Sequence, residues 1–455
     1  MSLSHELATR ALALDPSGFD PSALGFARDA IADMIGCALL GAPTTTTEAA
    51  LLKGIQGEGP CHVLGRREKL GRLDAAFVNG VSGHALDYDD TSKSLSGHPT
   101  VIIIPAILPI AETLQTSGRA FLDAYVIGVE AATRFARGVN FAHYEKGWHP
   151  TATLGIFGAV VSAGILLKLD VKSMANAISM AASLASGIKA NFGTDTKPLH
   201  AGLAARNGLF AALMAAEGVN AASTALEHPQ GFLEVFNGKG HYDADRMLTD
   251  WGTPLDLMNP GISIKKYPCV YSVHAAIDAV IELHDGSVPD STAVEDVVVR
   301  MHPRRLLPHV RNPATSALNA KFSLSYVVAR GLVNGTVRLD HFEDSALGDP
   351  EVMRIMDLIR MEEMPDDFPD YGAEVVVRTK DGQEVRNRIE TPLGRGPESP
   401  LPTEMLERKF LDCASRSLTA DGAADVFGML MQLDRLARVS DLVAAISTST
   451  RPTKG

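Results

Sequence analysis

The stretch Gly83–Thr100, GHALDYDDTSKSLSGHPT, concentrates side chains that can move protons. It holds two histidines, three aspartates and two threonines among glycines, directly after an apolar helical pattern. Carboxylates and imidazoles can take a proton from carbon or give one to a leaving hydroxyl, once the fold brings their pKa values toward neutrality. This segment is therefore the first candidate for an active site.

Two other interpretations apply to the same segment. Asp87, Asp89 and Asp90 are also typical of a helix end with Asx-type turns. His84 and Asp87 lie three residues apart on a predicted helix, so they could contribute to a metal site. No further ligand follows at a familiar spacing, and we therefore predict that the protein holds no metal.

Two polar clusters precede predicted helices. KGWHPTATLG contains His149, and NFGTDTKPLHAGLAARNG contains Lys197 and His200. An isolated histidine such as His149 is more often a hydrogen-bonded structural group than a catalyst. A lysine at a helix start opposes the helix dipole by roughly 0.3–1 kcal/mol, so we expect Lys197 to have an anionic partner.

Two more clusters carry cations and a phenol. IKKYPCVYSVH contains Lys265 and Lys266, and AKFSLSYVVARG contains Lys321 and Tyr326. Adjacent lysines are commonly just solvated, and we expect Lys321 to have a structural or supporting role. If the four clusters and the first segment converge, they offer proton-transfer groups beside ammonium groups that bind carboxylates. Such a site suits a small organic acid.

Composition and charge limit the classes of partner. The 455 residues carry a formal charge of −12 and a pI near 5.6, which opposes attraction to nucleic acid or an anionic membrane surface. The most apolar run, Val101–Ile110, is ten residues long, well short of the roughly 20 that span a bilayer. The start of the chain lacks a secretion-signal pattern, and the four cysteines show no paired spacing. We predict a cytoplasmic protein without nucleic-acid or membrane partners.

Helical periodicity dominates both ends of the chain. The predicted helices are Ser22–Gly41, Arg72–Tyr88, Ile102–Gln115, Ala120–Gly138, Ala152–Leu167, Val171–Lys189, Leu199–Glu217, Glu404–Ser415, Ala423–Leu436 and Val439–Ile446. Between them, AVEDVVVRMHP and AEVVVRTKDGQEVRNRIE are rich in β-branched residues, and Asp381-Gly382 predicts a hairpin turn. The predicted fold is mainly α, with an all-helical domain from residues 1–262 and 396–455 and a smaller α+β lid domain from residues 263–395.

Several segments in combination resemble the MmgE/PrpD family. They are HALDYDDT followed by GHPT, GWHPTAT, GTDTKPLHAGLAARNG, KKYPC, KFSLSYV and GPESPL. The resemblance spans nearly the whole chain and implies the two-domain fold just described, usually as a homodimer. It also implies a small polycarboxylate substrate and an active site that works without a metal or organic cofactor.

The resemblance transfers site residues one by one. The site pattern that the resemblance implies for the family's decarboxylases falls on Asp87, Thr91, His98, His149, Lys197, Lys265 and Tyr326. We assign catalytic roles to Asp87, His98, His149, Lys197 and Tyr326. We assign substrate binding to Thr91, Lys197, His200, Lys265 and Lys266.

The predicted reaction begins with removal of a proton from carbon next to a carboxylate. His98 or His149 is the base, Asp87 orients an imidazole or acts as the conjugate acid, and fixed cations stabilise the carbanion. A hydro-lyase acting like 2-methylcitrate dehydratase comes first because dehydration is the family's namesake chemistry. The alternatives, in order, are an epimerase of iminodisuccinate, a decarboxylase of cis-aconitate and a non-catalytic carboxylate-binding scaffold.

Three departures place decarboxylation below the other reactions. The loop Ser92–Gly97, SKSLSG, differs from the aromatic and histidine-bearing version that the resemblance implies in the decarboxylases. The resemblance implies a histidine directly after KKYPC in the decarboxylases, whereas this chain has Val270. The interval from Thr91 to His98 is also one residue longer than the decarboxylase pattern implies. The pairing of DYDD with SLSGHPT is closer to the epimerase branch.

Overall fold

The computed structural model describes residues 1–53, 58–288 and 290–452. Backbone contacts divide the chain into two units. The helical unit comprises residues 1–264 and 402–455, and the α+β unit comprises residues 265–401. The chain is mainly helical with a small sheet, as the sequence predicts.

The first segment of the helical unit is a series of helices with short strands between them. The helices are α1 (Leu3–Ala13), α2 (Pro21–Gly41), α3 (Thr45–Lys53), α4 (Arg72–His84), α5 (Thr100–Thr113), α6 (Gly118–Arg137), α7 (Ala142–Glu145), α8 (Pro150–Thr153), α9 (Gly155–Leu166), α10 (Val171–Leu184), α11 (Thr196–Ala216), α12 (Phe232–Asn237) and α13 (Ala244–Leu248). The strands are β1 (Cys61–His62), β2 (Lys69–Leu70), β3 (Thr91–Ser92) and β4 (Ile262–Ser263). Each strand pair, β1 with β2 and β3 with β4, is antiparallel.

The α+β unit is built around one four-stranded sheet. Its helices are α14 (His274–Gly286), α15 (Pro308–Arg311), α16 (Ala317–Ala320), α17 (Leu324–Asn334) and α18 (Pro350–Leu358). Its strands are β5 (Val294–Met301), β6 (Ile359–Glu363), β7 (Ala373–Thr379) and β8 (Glu384–Ile389), in the order β6-β5-β7-β8. Asp381-Gly382 joins antiparallel β7 and β8, with Gly382 at φ +88°, so the predicted hairpin is confirmed.

Three helices at the carboxyl end complete the helical unit: α19 (Thr403–Ala414), α20 (Ala420–Leu430) and α21 (Val439–Ser449). α19 packs closely against α2. A Cβ added to Gly36 of α2 would lie only 3.1 Å from Phe410 Cδ2 of α19, so the glycine permits this close approach. Lys409 on α19 reaches into the interior and donates to the backbone oxygen of Tyr88 at 2.9 Å. The last part of the chain therefore supports the turn that follows α4.

α4 ends earlier than predicted. The apolar pattern extends the helix to Tyr88, whereas the structure ends it at His84. Asp87 adopts a left-handed backbone with φ +54°, a conformation that aspartate tolerates better than most residues. The chain turns sharply there, so the carboxylates after α4 leave the helical register.

Other helices also differ from their predicted bounds, α10 and α20 most of all, and the apolar run is helical as predicted. α10 ends at Leu184 rather than Lys189, and α20 ends at Leu430, with a 3₁₀ turn from Leu433 to Arg435. The run Val101–Ile110 lies within buried α5, despite its two prolines, as predicted. Within the described residues, every helix is too short or too polar to cross a membrane.

Candidate active site

The turn after α4 brings a carboxylate back to the last helical residue. Asp89 accepts from His84 Nδ1 at 3.0 and 2.9 Å through its two oxygens. Both side chains are fully shielded from solvent. A buried carboxylate needs such donors, because desolvation penalises its charge. The contact between His84 and Asp89 therefore holds the turn against the end of α4.

His98 follows a tight loop that docks against α8. Ser92 donates its backbone N–H to the Gly97 oxygen at 2.8 Å, which closes the loop. The backbone N–H of His98 then donates to Thr151 Oγ1 at 3.2 Å. A Cβ on Gly97 would lie 2.7 Å from the Thr151 nitrogen, so this approach requires glycine. The loop thereby places the His98 ring beside the turn after α4.

The His98 ring lies between two carboxylates. Its Nδ1 is 3.1 Å from Asp89 Oδ2, through a bent approach, and its Nε2 is 3.6 Å from Asp87 Oδ1. The ring also meets His84 edge to face, with centroids 4.6 Å apart. One carboxylate, Asp89, thus faces the Nδ1 atoms of two imidazoles.

Lys197 pairs with the other carboxylate. Its Nζ donates to Asp87 Oδ1 at 2.7 Å, and both side chains are more than nine-tenths buried. Lys197 is the second residue of α11, where a cation opposes the helix dipole. Asp87 is therefore an anionic partner of the kind that the sequence led us to expect. The pair joins two elements that lie 110 positions apart in the sequence.

His149 and His200 form a second imidazole pair. Their Nδ1 atoms are 3.1 Å apart, so one ring donates to the other. The backbone N–H of His149 donates to the Gly187 oxygen at 3.0 Å. Gly187 has φ +132°, and a Cβ there would lie 3.2 Å from the His200 ring. The Phe192 ring contacts the His149 ring edge to face, with ring centroids 4.9 Å apart, and covers one side of the histidine pair.

Burial keeps these imidazoles neutral. Desolvation lowers the pKa of His84 to about 4, even though the Asp89 charge opposes the shift. Desolvation, and then the Lys197 charge, hold the pKa of His149 well below its ordinary value and also lower that of His200. Burial alone would raise the pKa of Asp89, but its contacts with the ring nitrogens of His84 and His98 keep it well below its ordinary range. The site therefore combines an ionised carboxylate with uncharged rings at His84, His149 and His200.

Asp90 faces away from the histidines into the helix core. It accepts from the Thr100 hydroxyl, which also lies 2.6 Å from the Tyr125 hydroxyl. Burial raises the pKa of Asp90 well above its ordinary value. Asp90 therefore ties the turn to α5 through the Thr100 hydroxyl. The three aspartates of the DYDD string thus have three different environments.

The other predicted site residues have partners of their own. The Thr91 hydroxyl donates to the Gly97 oxygen at 3.3 Å. Lys265 is buried at the start of the α+β unit, and Lys266 pairs with Asp278 at 2.8 Å. In α17, the Tyr326 hydroxyl donates to the backbone oxygen of His341 and accepts from Arg330 Nε at 3.0 Å. Burial raises the pKa of this tyrosine, so it remains a phenol.

Five predicted site residues meet in one cluster of the helical unit: Asp87, His98, His149, Lys197 and His200. Lys265, Lys266 and Tyr326 belong to the α+β unit. His84 and Asp89 are members that the sequence-based assignment missed. Their signal was present in HALDYDD, but the linear pattern could not show which aspartate faces an imidazole.

Four members of the cluster also have the composition of a metal site. Ligand atoms from His84, Asp87, Asp89 and His98 lie within 4.8 Å of one another. However, Lys197 already supplies a cation to Asp87, and Asp89 already accepts from His84. A metal would have to displace these contacts. The geometry is better suited to proton transfer, and the absence of a metal stays a prediction.

The sequence matches family domains over most of its length. Residues 5–245 match the MmgE/PrpD N-terminal domain, and residues 267–429 match the MmgE/PrpD C-terminal domain. A cis-aconitate decarboxylase-like protein from Aspergillus oryzae is 28% identical and covers 98% of this chain and 97% of the relative. The human cis-aconitate decarboxylase is 28% identical over 83% of this chain and 80% of its own length.

A third relative, the cis-aconitate decarboxylase of Aspergillus terreus, is 27% identical and covers 92% of this chain and 90% of its own length. All three similarities extend through both matched domains, so they are not limited to one motif. Both matched domains, one of which alone exceeds half of the sequence, show that this chain belongs to the MmgE/PrpD family.

Proposed function

We propose that this protein is a cofactor-independent lyase that removes a proton from carbon next to a carboxylate in a small di- or tricarboxylate. The observation that carries the proposal is the position of His98. One ring nitrogen faces the ionised Asp89, and the other faces the ion pair of Asp87 and Lys197. A base, a cation and a second carboxylate thus surround one point.

Lys197 supplies the charge that such a reaction needs. Removing a proton next to a carboxylate moves negative charge onto the carboxylate oxygens. An ammonium group that is more than nine-tenths buried stabilises this charge more strongly than one in water. The substrate carboxylate would take the place of Asp87 beside Lys197, or share the ammonium with it.

Dehydration is the first candidate for the bond-breaking step. The C–H electron pair forms the new double bond, the C–O bond to a β-hydroxyl breaks, and the proton removed by His98 returns to the hydroxyl, which leaves as water. One imidazole can act as base and then as acid in this sequence. The substrate would be a hydroxy acid resembling 2-methylcitrate or citrate.

Decarboxylation is the second candidate, because the three relatives described above are named cis-aconitate decarboxylases or decarboxylase-like. In that reaction the C–C bond breaks, carbon dioxide leaves, and the remaining carbanion takes a proton. Val270, where the resemblance implies a histidine in the decarboxylases, weighs against it. In epimerisation, the third candidate, a proton donor on the opposite face of the carbon returns the proton.

Proton NMR in deuterium oxide tests the proposal. The protein is incubated separately with 2-methylcitrate, citrate, cis-aconitate and iminodisuccinate. A vinyl signal from citrate, or a vinylic methyl singlet from 2-methylcitrate, identifies dehydration, and exomethylene signals from cis-aconitate identify decarboxylation. Deuterium uptake without net product identifies epimerisation.

The matched variants are His98→Gln and His241→Gln. The first removes the proposed base, and the second makes the same change at an exposed histidine outside the cluster. We expect turnover or exchange to be lost only in the first. Binding of the acids without exchange or turnover in the unmodified protein would overturn the proposal and favour a non-catalytic scaffold.

A further inference from the structure

Asp89 contacts two imidazoles that approach it through the same ring atom. His84 Nδ1 lies 2.9 Å from Asp89 Oδ2, and His98 Nδ1 lies 3.1 Å from that same oxygen. Neither Asp89 nor the side chain of His84 is exposed to solvent. This carboxylate therefore has no direct access to bulk water, and its nearest polar neighbours include two ring nitrogens.

The chemistry of the carboxylate determines where the ring protons are. An ionised carboxylate only accepts hydrogen bonds, so a ring nitrogen within hydrogen-bonding distance of it, as both Nδ1 atoms are of Asp89, presents an N–H. The ring that carries its single proton on Nδ1 has a lone pair on Nε2. For His98, this lone pair lies on the side of the ring that faces Asp87, 3.6 Å away.

We propose that Asp89 is the positioning residue of His98, and that His84 holds Asp89 in place. Asp89 fixes the His98 ring in the Nδ1–H tautomer and leaves Nε2 unprotonated and aimed at the Asp87 and Lys197 pair. When Nε2 takes a proton from the substrate carbon, the C–H electron pair stays on the substrate. Asp89 remains ionised and stabilises the imidazolium. This inference rests on the proposed function.

His84 holds the Asp89 carboxylate in place. Its Nε2 is buried and lacks a hydrogen-bond partner among the described residues, so the ring is anchored through Nδ1 alone. It makes two contacts to Asp89, one to each oxygen. With both oxygens held, the carboxylate cannot rotate away from His98. The arrangement leaves His84 uncharged while Asp89 keeps its charge.

The groups around His98 are Asp87, Asp89, His84, Lys197 and His149.

Asp89→Asn retains the shape of the side chain but removes the charge and introduces an N–H₂ donor. If that donor faces His98 Nδ1, the ring proton moves to Nε2 and the base is lost. We expect kcat to fall by roughly 10²–10⁴-fold, with KM changed only a few-fold. The acidic limb of kcat/KM against pH should move to lower pH, because the imidazolium loses its negative neighbour.

Nitrogen-15 NMR of the histidine-labelled protein reads the tautomer directly. His98→Gln assigns the resonance, and Asp123→Asn is the matched control, because it neutralises a carboxylate that pairs with Arg119 on α6. We expect an Nδ1–H tautomer for His98 in the unmodified protein and in the control, and an Nε2–H tautomer in Asp89→Asn. Activity should be retained in the control.

The proposal is overturned if His98 carries its proton on Nε2 in the unmodified protein. It is also overturned if Asp89→Asn loses activity while the tautomer and the pH profile stay the same, since that result indicates a purely structural role. The spectrum of the unmodified protein decides the matter if the variant does not fold. It needs no substrate, so failure of the proposed function and failure of this inference are separate results.

Discussion

Lys409 provides a quantitative test of how α19 supports the site. Its Nζ lies 2.5 Å from Asp33 Oδ1, with 5% of the lysine side chain and none of the aspartate side chain exposed. The same ammonium donates to the Tyr88 oxygen at 2.9 Å and lies 3.8 Å from the centre of the Tyr88 ring. In the sequence, Tyr88 lies between Asp87 and Asp89, the two aspartates whose carboxylates flank the His98 ring.

Lys409→Met keeps most of the apolar stem but removes the ammonium group. Breaking a buried pair costs roughly 3–5 kcal/mol, because the remaining carboxylate stays desolvated. Arg438→Met is the control, since Arg438 and Asp441 form an exposed pair that should contribute no more than about 1 kcal/mol. The double variant with Asp33→Asn should lose less stability than the sum of the single variants, by roughly 1–3 kcal/mol.

Tryptophan fluorescence during urea unfolding measures these differences. Both tryptophans, Trp148 and Trp251, belong to the helical unit, so the signal reports on the unit that contains the pair. We expect Lys409→Met to reduce the free energy of unfolding severalfold more than Arg438→Met does. Equal effects of the two substitutions would refute the argument that the buried pair supports the turn.

The remaining predictions concern the site, pH and metal. Lys197→Ala or His149→Ala should reduce kcat by at least roughly 10²-fold, and full activity in both would remove these residues from the mechanism. Lys197→Ala should also lower the urea midpoint, because it removes the ammonium group from the buried Asp87 carboxylate. Burial lowers the pKa of His84 and His143 to about 4, so the unfolded chain binds more protons than the native protein between pH 6.5 and that value. The free energy of unfolding is therefore highest above pH 6.5 and decreases as the pH falls from 6.5 to about 4. For His84 the total decrease is on the order of 3 kcal/mol. An unchanged urea midpoint between pH 7 and 5 would contradict this pH dependence. Dialysis against a chelator should leave turnover unchanged, and a loss that a divalent cation restores would show that the four-ligand cluster holds a metal.

The sequence predicted much of the fold because its signals are local. Helical periodicity located α2, α5 and α6 to within a few residues, and the Asp381-Gly382 dipeptide located the β7–β8 hairpin. The α4 end was predicted incorrectly, because the apolar pattern continues past His84 while the backbone at Asp87 turns left-handed. That turn depends on tertiary contacts, such as the Lys409 bond to Tyr88, which periodicity does not reveal.

The site was only partly accessible to the same reasoning. The sequence marked His98 because it lies in the segment Gly83–Thr100, which is rich in proton-transfer groups, and it marked His149 and Lys197 because they stand at predicted helix starts. The assignment of Asp89 to the histidines required the three-dimensional course of the turn. The homodimer and the lid role of the α+β unit stay predictions.

A crystal structure with bound citrate or cis-aconitate tests the central claim most directly. The account predicts a substrate carboxylate about 3 Å from Lys197 Nζ and the reacting carbon roughly 3–3.5 Å from His98 Nε2. A tricarboxylate bound in a functional complex away from both groups would contradict it.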